Sequence, residues 1–126
     1  MILIFGGAYQ GKLSYALERF GLTEDDVGRC SCEDAAHPQS KKIVCGVEKW
    51  ILALIQAERN VADEVKRFME ENKDSIVICN DISCGVVPVD PIMRRWRDEV
   101  GKAIGLLARS CDEVIRLYCG IPTKLK

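Results

Sequence analysis

No apolar run in the sequence approaches the ~18–20 residues that a bilayer-crossing helix requires, so a membrane span is not expected. No arm or face concentrates positive charge either. The 18 Lys and Arg are interspersed with 19 Asp and Glu, for a formal net charge of −1, which makes nucleic acid a poor candidate partner. The start MILIFGG carries no cationic segment and no cleavage site. It reads as a first strand rather than a signal peptide, and a cytoplasmic location is expected. Repeats, low-complexity segments and linkers are absent, so residues 1–126 are read as one domain. A domain of that size buries roughly two-thirds of its unfolded surface.

Histidine is scarce and cysteine is not. The single histidine, His37, lies in a polar loop and is expected to face solvent. Seven cysteines are an odd number in a chain without an export signal, which argues against a disulfide framework. Cys45, Cys79 and Cys119 sit in or at the end of apolar runs and read as small buried hydrophobes. Cys30, Cys32, His37 and Cys45 are four soft ligands in one stretch, but their spacing fits no common zinc pattern. Reduced, unliganded thiols are the preferred reading.

The apolar pattern predicts a strand at ILIF (2–5), a helix from Lys12 to about Phe20 stopped by Gly21, and a polar, irregular stretch over 22–40. One short strand is expected near Val27 to Cys32 within that stretch. A strand follows at KKIVCG (41–46). Val47, Trp50, Ile51, Leu54, Ile55, Val61, Val65, Phe68 and Met69 keep the three-four spacing of a single buried stripe, which predicts one helix over 47–72. SIVICND (75–81) reads as a buried strand, and GVVPVDP (85–91) as an extended turn. Asp90 is placed to cap a helix that opens with Pro91 and runs to about Ser110. DEVIRLYCG (112–120) is a last strand, and IPTKLK a short tail. The alternation predicts an α/β fold: a mostly parallel sheet with helices on both faces, like a P-loop NTPase.

Gly6, Gly7, Ala8, Tyr9, Gln10, Gly11, Lys12 and Leu13 match the phosphate-loop pattern G-x-x-x-x-G-K-[ST] everywhere but the last position. The matching part has a physical basis. Glycines let backbone N–H groups converge on phosphate, the following helix adds its positive end, and Lys12 neutralises β/γ charge. The absent hydroxyl would be a ligand of the Mg²⁺ that bridges the phosphates. Ser14 is rotated from that position by about 100°. For the second, acidic ligand, Asp81 at the end of SIVICND is the first candidate and Glu48 the other, though Glu48 reads more readily as a solvated helix-face acid.

The segment CNDISCGVVPVDPIMRRWRDEVGKAIGLLARSCDEVIRLYCG resembles the C-terminal part of the bifunctional adenosylcobinamide kinase / adenosylcobinamide-phosphate guanylyltransferase family. That family reads approximately N-E-V-G-x-G-I-V-P, then R-x-F-R-D-x-x-G, then A-D-E-V. Asn80, Gly85, Val87, Pro88, Arg94 or Arg95, Arg97, Asp98, Gly101, Asp112, Glu113, Val114 and Gly120 keep step with it. Its loop G-G-A-R-S-G-K-S is similar to residues 6–13. The resemblance implies a trimeric P-loop enzyme that phosphorylates the aminopropanol hydroxyl of adenosylcobinamide with ATP or GTP and Mg²⁺. It then attaches GMP through a guanylylated histidine, in cobalamin biosynthesis.

The departures are specific. Tyr9-Gln10 and Leu13 replace the family arginine and serines, Cys45 stands where the family has an aspartate, and Asp81 replaces a glutamate. The segment that carries the guanylylated histidine is mostly absent, and His37 lacks the surrounding pattern. The expectation is a nucleotide-binding protein with Lys12 and Asp81 as catalytic groups, Asp81 also as metal ligand, and guanylyl transfer lost. The alternatives are a nucleotide- or corrinoid-binding module without turnover, and a relative that shares the fold alone.

Overall fold

In a computed structural model describing residues 1–126, six strands form one sheet and four helices pack on it. The elements are β1 (Ile2–Gly6), α1 (Lys12–Phe20), β2 (Val27–Arg29), β3 (Ile43–Cys45), α2 (Val47–Gln56), α3 (Val61–Glu71), β4 (Ile76–Asn80), α4 (Pro91–Ser110), β5 (Glu113–Tyr118) and β6 (Ile121–Lys124). The strand order is β2-β3-β4-β1-β5-β6. Every pairing is parallel except that of β5 with β6. The α/β, mostly parallel, doubly covered sheet expected from the sequence is therefore present, and no helix is long and apolar enough to cross a membrane.

The two faces are unequally covered. Leu3, Val44, Val77, Cys79 and Val114 pack under α2, α3 and α4 in a cluster of 17 buried residues. Ile4, Ile43, Ile76, Ile78, Ile115 and Leu117 face the other way, beneath α1 alone. Successive residues of one strand point to opposite faces, so strands buried on both sides read as unbroken apolar runs.

Three expectations are corrected. The stripe over 47–72 belongs to two helices. Glu58 adopts a left-handed conformation (φ 57°), and the Glu58 and Arg59 N–H groups donate to the carbonyls of Ile55 and Leu54. That is a Schellman stop at the end of α2. Asn60 then caps α3 by accepting from the Asp63 N–H at 3.0 Å. The C-terminal tail is instead strand β6, joined to β5 by a two-residue turn at Cys119 and Gly120, both with positive φ (52° and 74°), as tight hairpins favour. Cys119 is accordingly exposed rather than buried. The expected helix at 91–110 is borne out, with the Asp90 carboxylate accepting from the N–H groups of Ile92 and Met93 and Pro91 in the first turn.

Candidate functional site

The chain leaves β1 toward β2 and leaves β4 toward β5, so the connections diverge between these two adjacent strands. The crevice beyond the carboxyl ends at such a point is where open α/β sheets bind ligands. A cavity of about 240 Å³ lies there, lined by Tyr9 to Ser14 of the glycine loop, by Cys45, Gly46, Glu48 and Lys49, and by Ile78 and Asn80.

The loop's shape follows from Gly6 and Gly11. Gly6 has φ 150°, and a Cβ there would lie 2.3 Å from the Leu117 carbonyl oxygen of β5. The close approach lets the chain turn at the strand end. Gly11, with φ 81°, begins α1 without any side-chain cap. Across the cavity Gly46 (φ 83°) begins α2 in the same way. Two helix N-termini thus open onto one space with no side-chain oxygen capping either, and their positive ends favour an anion between them.

Lys12 is 6% exposed, and its ammonium donates to the Gly7 carbonyl at 2.6 Å, its one hydrogen bond. Burial lowers its pKa from the usual 10.5, while the charge of Glu48 opposes the shift. Gln10 ties the loop to the rest of the sheet by accepting from the Cys119 N–H. Tyr9 has φ 59° and stands fully exposed at the rim. Leu13 borders the cavity but also packs against the core cluster beneath α1.

The acidic residues are placed differently from the sequence-based ranking. Asp81 follows β4, with its N–H donating to the Gly6 carbonyl at 2.8 Å. Its carboxylate accepts from Ser83 N–H, Ser83 Oγ and Cys84 Sγ, and it does not line the cavity. Glu48, ranked second, is 3% exposed and does line it. Oε2 of Glu48 accepts from the Asn80 N–H and Oε1 from Asn80 Nδ2, each at 3.0 Å. The signal missed was its place in the first turn after β3. Val47 and Glu48 of that turn are buried at the carboxyl end of the sheet, while Lys49 beside them is exposed.

Cys30, Cys32, His37 and Cys45 do not come together as a metal centre, and no cluster of three or more His, Cys, Asp or Glu is arranged to hold one. His37 is half-buried, not solvent-facing. Its Nε2 lies 2.6 Å from Glu64 Oε2 and its Nδ1 3.1 Å from Glu71 Oε2. Its ring meets Trp50 edge-on at 5.5 Å. Burial pushes the Cys45 thiol up, with Glu48 adding to the shift.

Residues 32–125 match the model of the family described as cobinamide kinase / cobinamide phosphate guanyltransferase. The glycine loop precedes that span. The chain is also 29% identical over 83 residues to the bifunctional adenosylcobalamin biosynthesis protein CobU of Salmonella typhimurium. That alignment covers 63% of this chain and 45% of the relative, so the chain matches less than half of the longer protein's length. With the family pattern running through about three-quarters of its residues, from the β2–β3 loop to β6, the chain belongs to the cobinamide kinase / cobinamide phosphate guanyltransferase family.

Proposed function

We propose that the cavity binds a purine nucleoside triphosphate, ATP or GTP, by its phosphates, and that the protein transfers the terminal phosphoryl group to the hydroxyl of a cobinamide. One observation carries the reading. Lys12 holds a buried cation at the meeting point of two uncapped helix N-termini, with a backbone carbonyl as its sole hydrogen-bond partner. Burial costs this ammonium more than the Glu48 charge returns, so its pKa stays lowered, and an arriving anion would offset the remainder. The N–H groups over Gly7 to Leu13 would hold the phosphate oxygens, and Lys12 would neutralise charge as the bond to the leaving group breaks. Mg²⁺, when bound, supplies charge neutralisation between the β- and γ-phosphates. The oxygen donors in the cavity, the Glu48 carboxylate and the Ser14 hydroxyl, suit that hard cation. Asp81, as placed, supports the turn after β4.

Guanylyl transfer is left out of this proposal. His37 Nε2 is hydrogen-bonded to the Glu64 carboxylate, and His37 does not line the cavity. A cytoplasmic trimer, implied by the family resemblance, belongs to the same proposal. A second reading, binding without turnover, is favoured by Leu13, which carries no metal-binding oxygen and packs, partly buried, against the cluster beneath α1.

The test is thermal unfolding with ATP, GTP and GDP, with and without Mg²⁺. A ligand at 100 times its Kd adds about 2.7 kcal/mol, which is several degrees for a domain of this size. Lys12→Met removes the shift and, by relieving the buried charge, leaves the ligand-free protein at least as stable as wild type. Turnover of cobinamide to its phosphate then separates the kinase from the binding module. An unshifted melting temperature with every nucleotide refutes both.

A further inference from the structure

The cavity contains a buried acid that holding phosphate does not require. Glu48 is fixed from three elements: its own helix α2, Asn80 at the end of β4 through both carboxylate oxygens, and Trp96 of α4, whose indole N–H donates to the Glu48 carbonyl at 2.7 Å. Each carboxylate oxygen offers two acceptor positions, so the two hydrogen bonds from Asn80 leave half of that capacity free in a residue that lines the cavity. A link between α2 and β4 would explain the Asn80 contacts, but a neutral side chain would serve as well. An incoming triphosphate adds several negative charges beside this buried carboxylate, more than Lys12 and Lys49, the two cations lining the same cavity, can balance, which favours a further cation between them.

We propose that Glu48 is the protein's ligand for the divalent cation that accompanies the nucleotide, taking over from the hydroxyl absent at Leu13, and that it makes nucleotide binding depend on the metal. The inference rests on the phosphate-binding reading of the loop. Magnesium sites commonly use one or two carboxylates, with phosphate and water oxygens completing the shell. The competing soft donor, Cys45, is held as a thiol by burial. Asp81 is committed to Ser83 and Cys84 away from the cavity.

The experiment is calorimetric titration of ATP in MgCl₂ and in EDTA, using wild type, Glu48→Gln and Glu48→Asp. Wild type is expected to bind at least about tenfold more tightly with Mg²⁺, a difference of about 1.4 kcal/mol. Glu48→Gln is expected to bind with nearly equal affinity in both buffers, and more tightly than wild type in EDTA because a repelling charge is gone. A merely structural Glu48 would lower the melting temperature on substitution and leave the Mg²⁺ enhancement unchanged, and that result overturns the proposal. If Glu48→Gln does not fold, Glu48→Asp carries the test. Retracting the carboxylate by one methylene must reduce the enhancement, and an undiminished one refutes the assignment. Equal wild-type affinity in both buffers refutes it too, while sparing the phosphate-binding reading. Absence of ATP binding by wild type in either buffer removes that reading and the proposal together.

Discussion

Replacing Gly6 by alanine tests whether the loop's entry angle is imposed by the sheet. The added Cβ would sit 2.3 Å from the Leu117 carbonyl oxygen and 3.3 Å from its carbon. Leu117 belongs to β5, hydrogen-bonded to β1 on one side and β6 on the other, so the obstacle is backbone and cannot rotate away. Two costs add. Holding alanine at φ 150° costs about 1–3 kcal/mol, as sparsely populated backbone conformations do. Forcing a methyl into filled space costs about 1–3 kcal/mol more. For a chain of this length the sum corresponds to a fall in Tm on the order of 10–20 °C.

Gly11→Ala is the matched control. It too has positive φ (81°), but nothing lies within 4 Å of the added Cβ, so it carries the conformational cost alone, about 1 kcal/mol. Thermal unfolding of both variants by circular dichroism checks the reasoning. If Gly6→Ala melts within a couple of degrees of Gly11→Ala, the close approach of the loop to β5 is not what requires glycine.

Glu58→Gly removes the left-handed strain at the end of α2 and is expected to stabilise the protein by about 0.5–1 kcal/mol. An unchanged or lower Tm would show that the Glu58 side chain contributes more than its conformation costs. Asp112 accepts a hydrogen bond from the N-terminal ammonium at 2.9 Å, which holds its carboxyl below the usual 3.8. A depressed acid stabilises the folded state above its unfolded pKa and loses that contribution as pH falls through the lower folded value. Asp112→Asn should therefore melt slightly below wild type at neutral pH, with the gap closing below pH 3.8; a gap constant with pH contradicts the pairing. Leu13→Ser gives up packing beneath α1 and is expected to cost about 1 kcal/mol. On the proposal that Glu48 holds the cation, the restored hydroxyl should change Mg²⁺-dependent ATP affinity little, and a large gain would contradict that assignment.

The sheet was legible because its strands are buried on both faces, so ILIF, KKIVCG and SIVICN show as apolar islands between polar segments. The α4 start was legible because Asp90 and Pro91 act locally, through hydrogen bonds within their own turn. Strand β6 was not, since all four of its residues are exposed and an exposed edge strand carries no burial pattern. The break between α2 and α3 was hidden for a related reason. A left-handed stop is normally announced by glycine, and here glutamate occupies it. The apolar stripe continues on both sides because both helices pack against the same core cluster.

Leu13 and Glu48 have a common explanation in the unequal cover of the sheet. The face beneath α1 has one nine-residue helix to shield it, and of that helix only Lys12 and Ala16 are buried outright. Every further apolar contact there counts, and Leu13 joins Tyr15, Leu17 and Phe20 in supplying them. Leucine at that position shields a thinly covered face at the expense of an oxygen donor. The opposite face, with three helices and the larger cluster, can tolerate a buried charge, because Asn80 and Trp96 are already fixed by β4 and α4 to position it. Glu48, placed from that side, lines the same cavity as Leu13 and brings to it the carboxylate oxygens that leucine lacks. On the proposal that Glu48 holds the cation, the two residues form one exchange between packing and chemistry. Under it, Glu48→Gln and Leu13→Ser made together should restore part of the metal dependence that Glu48→Gln alone removes. Strict additivity of the two changes would show that they do not act on one cation.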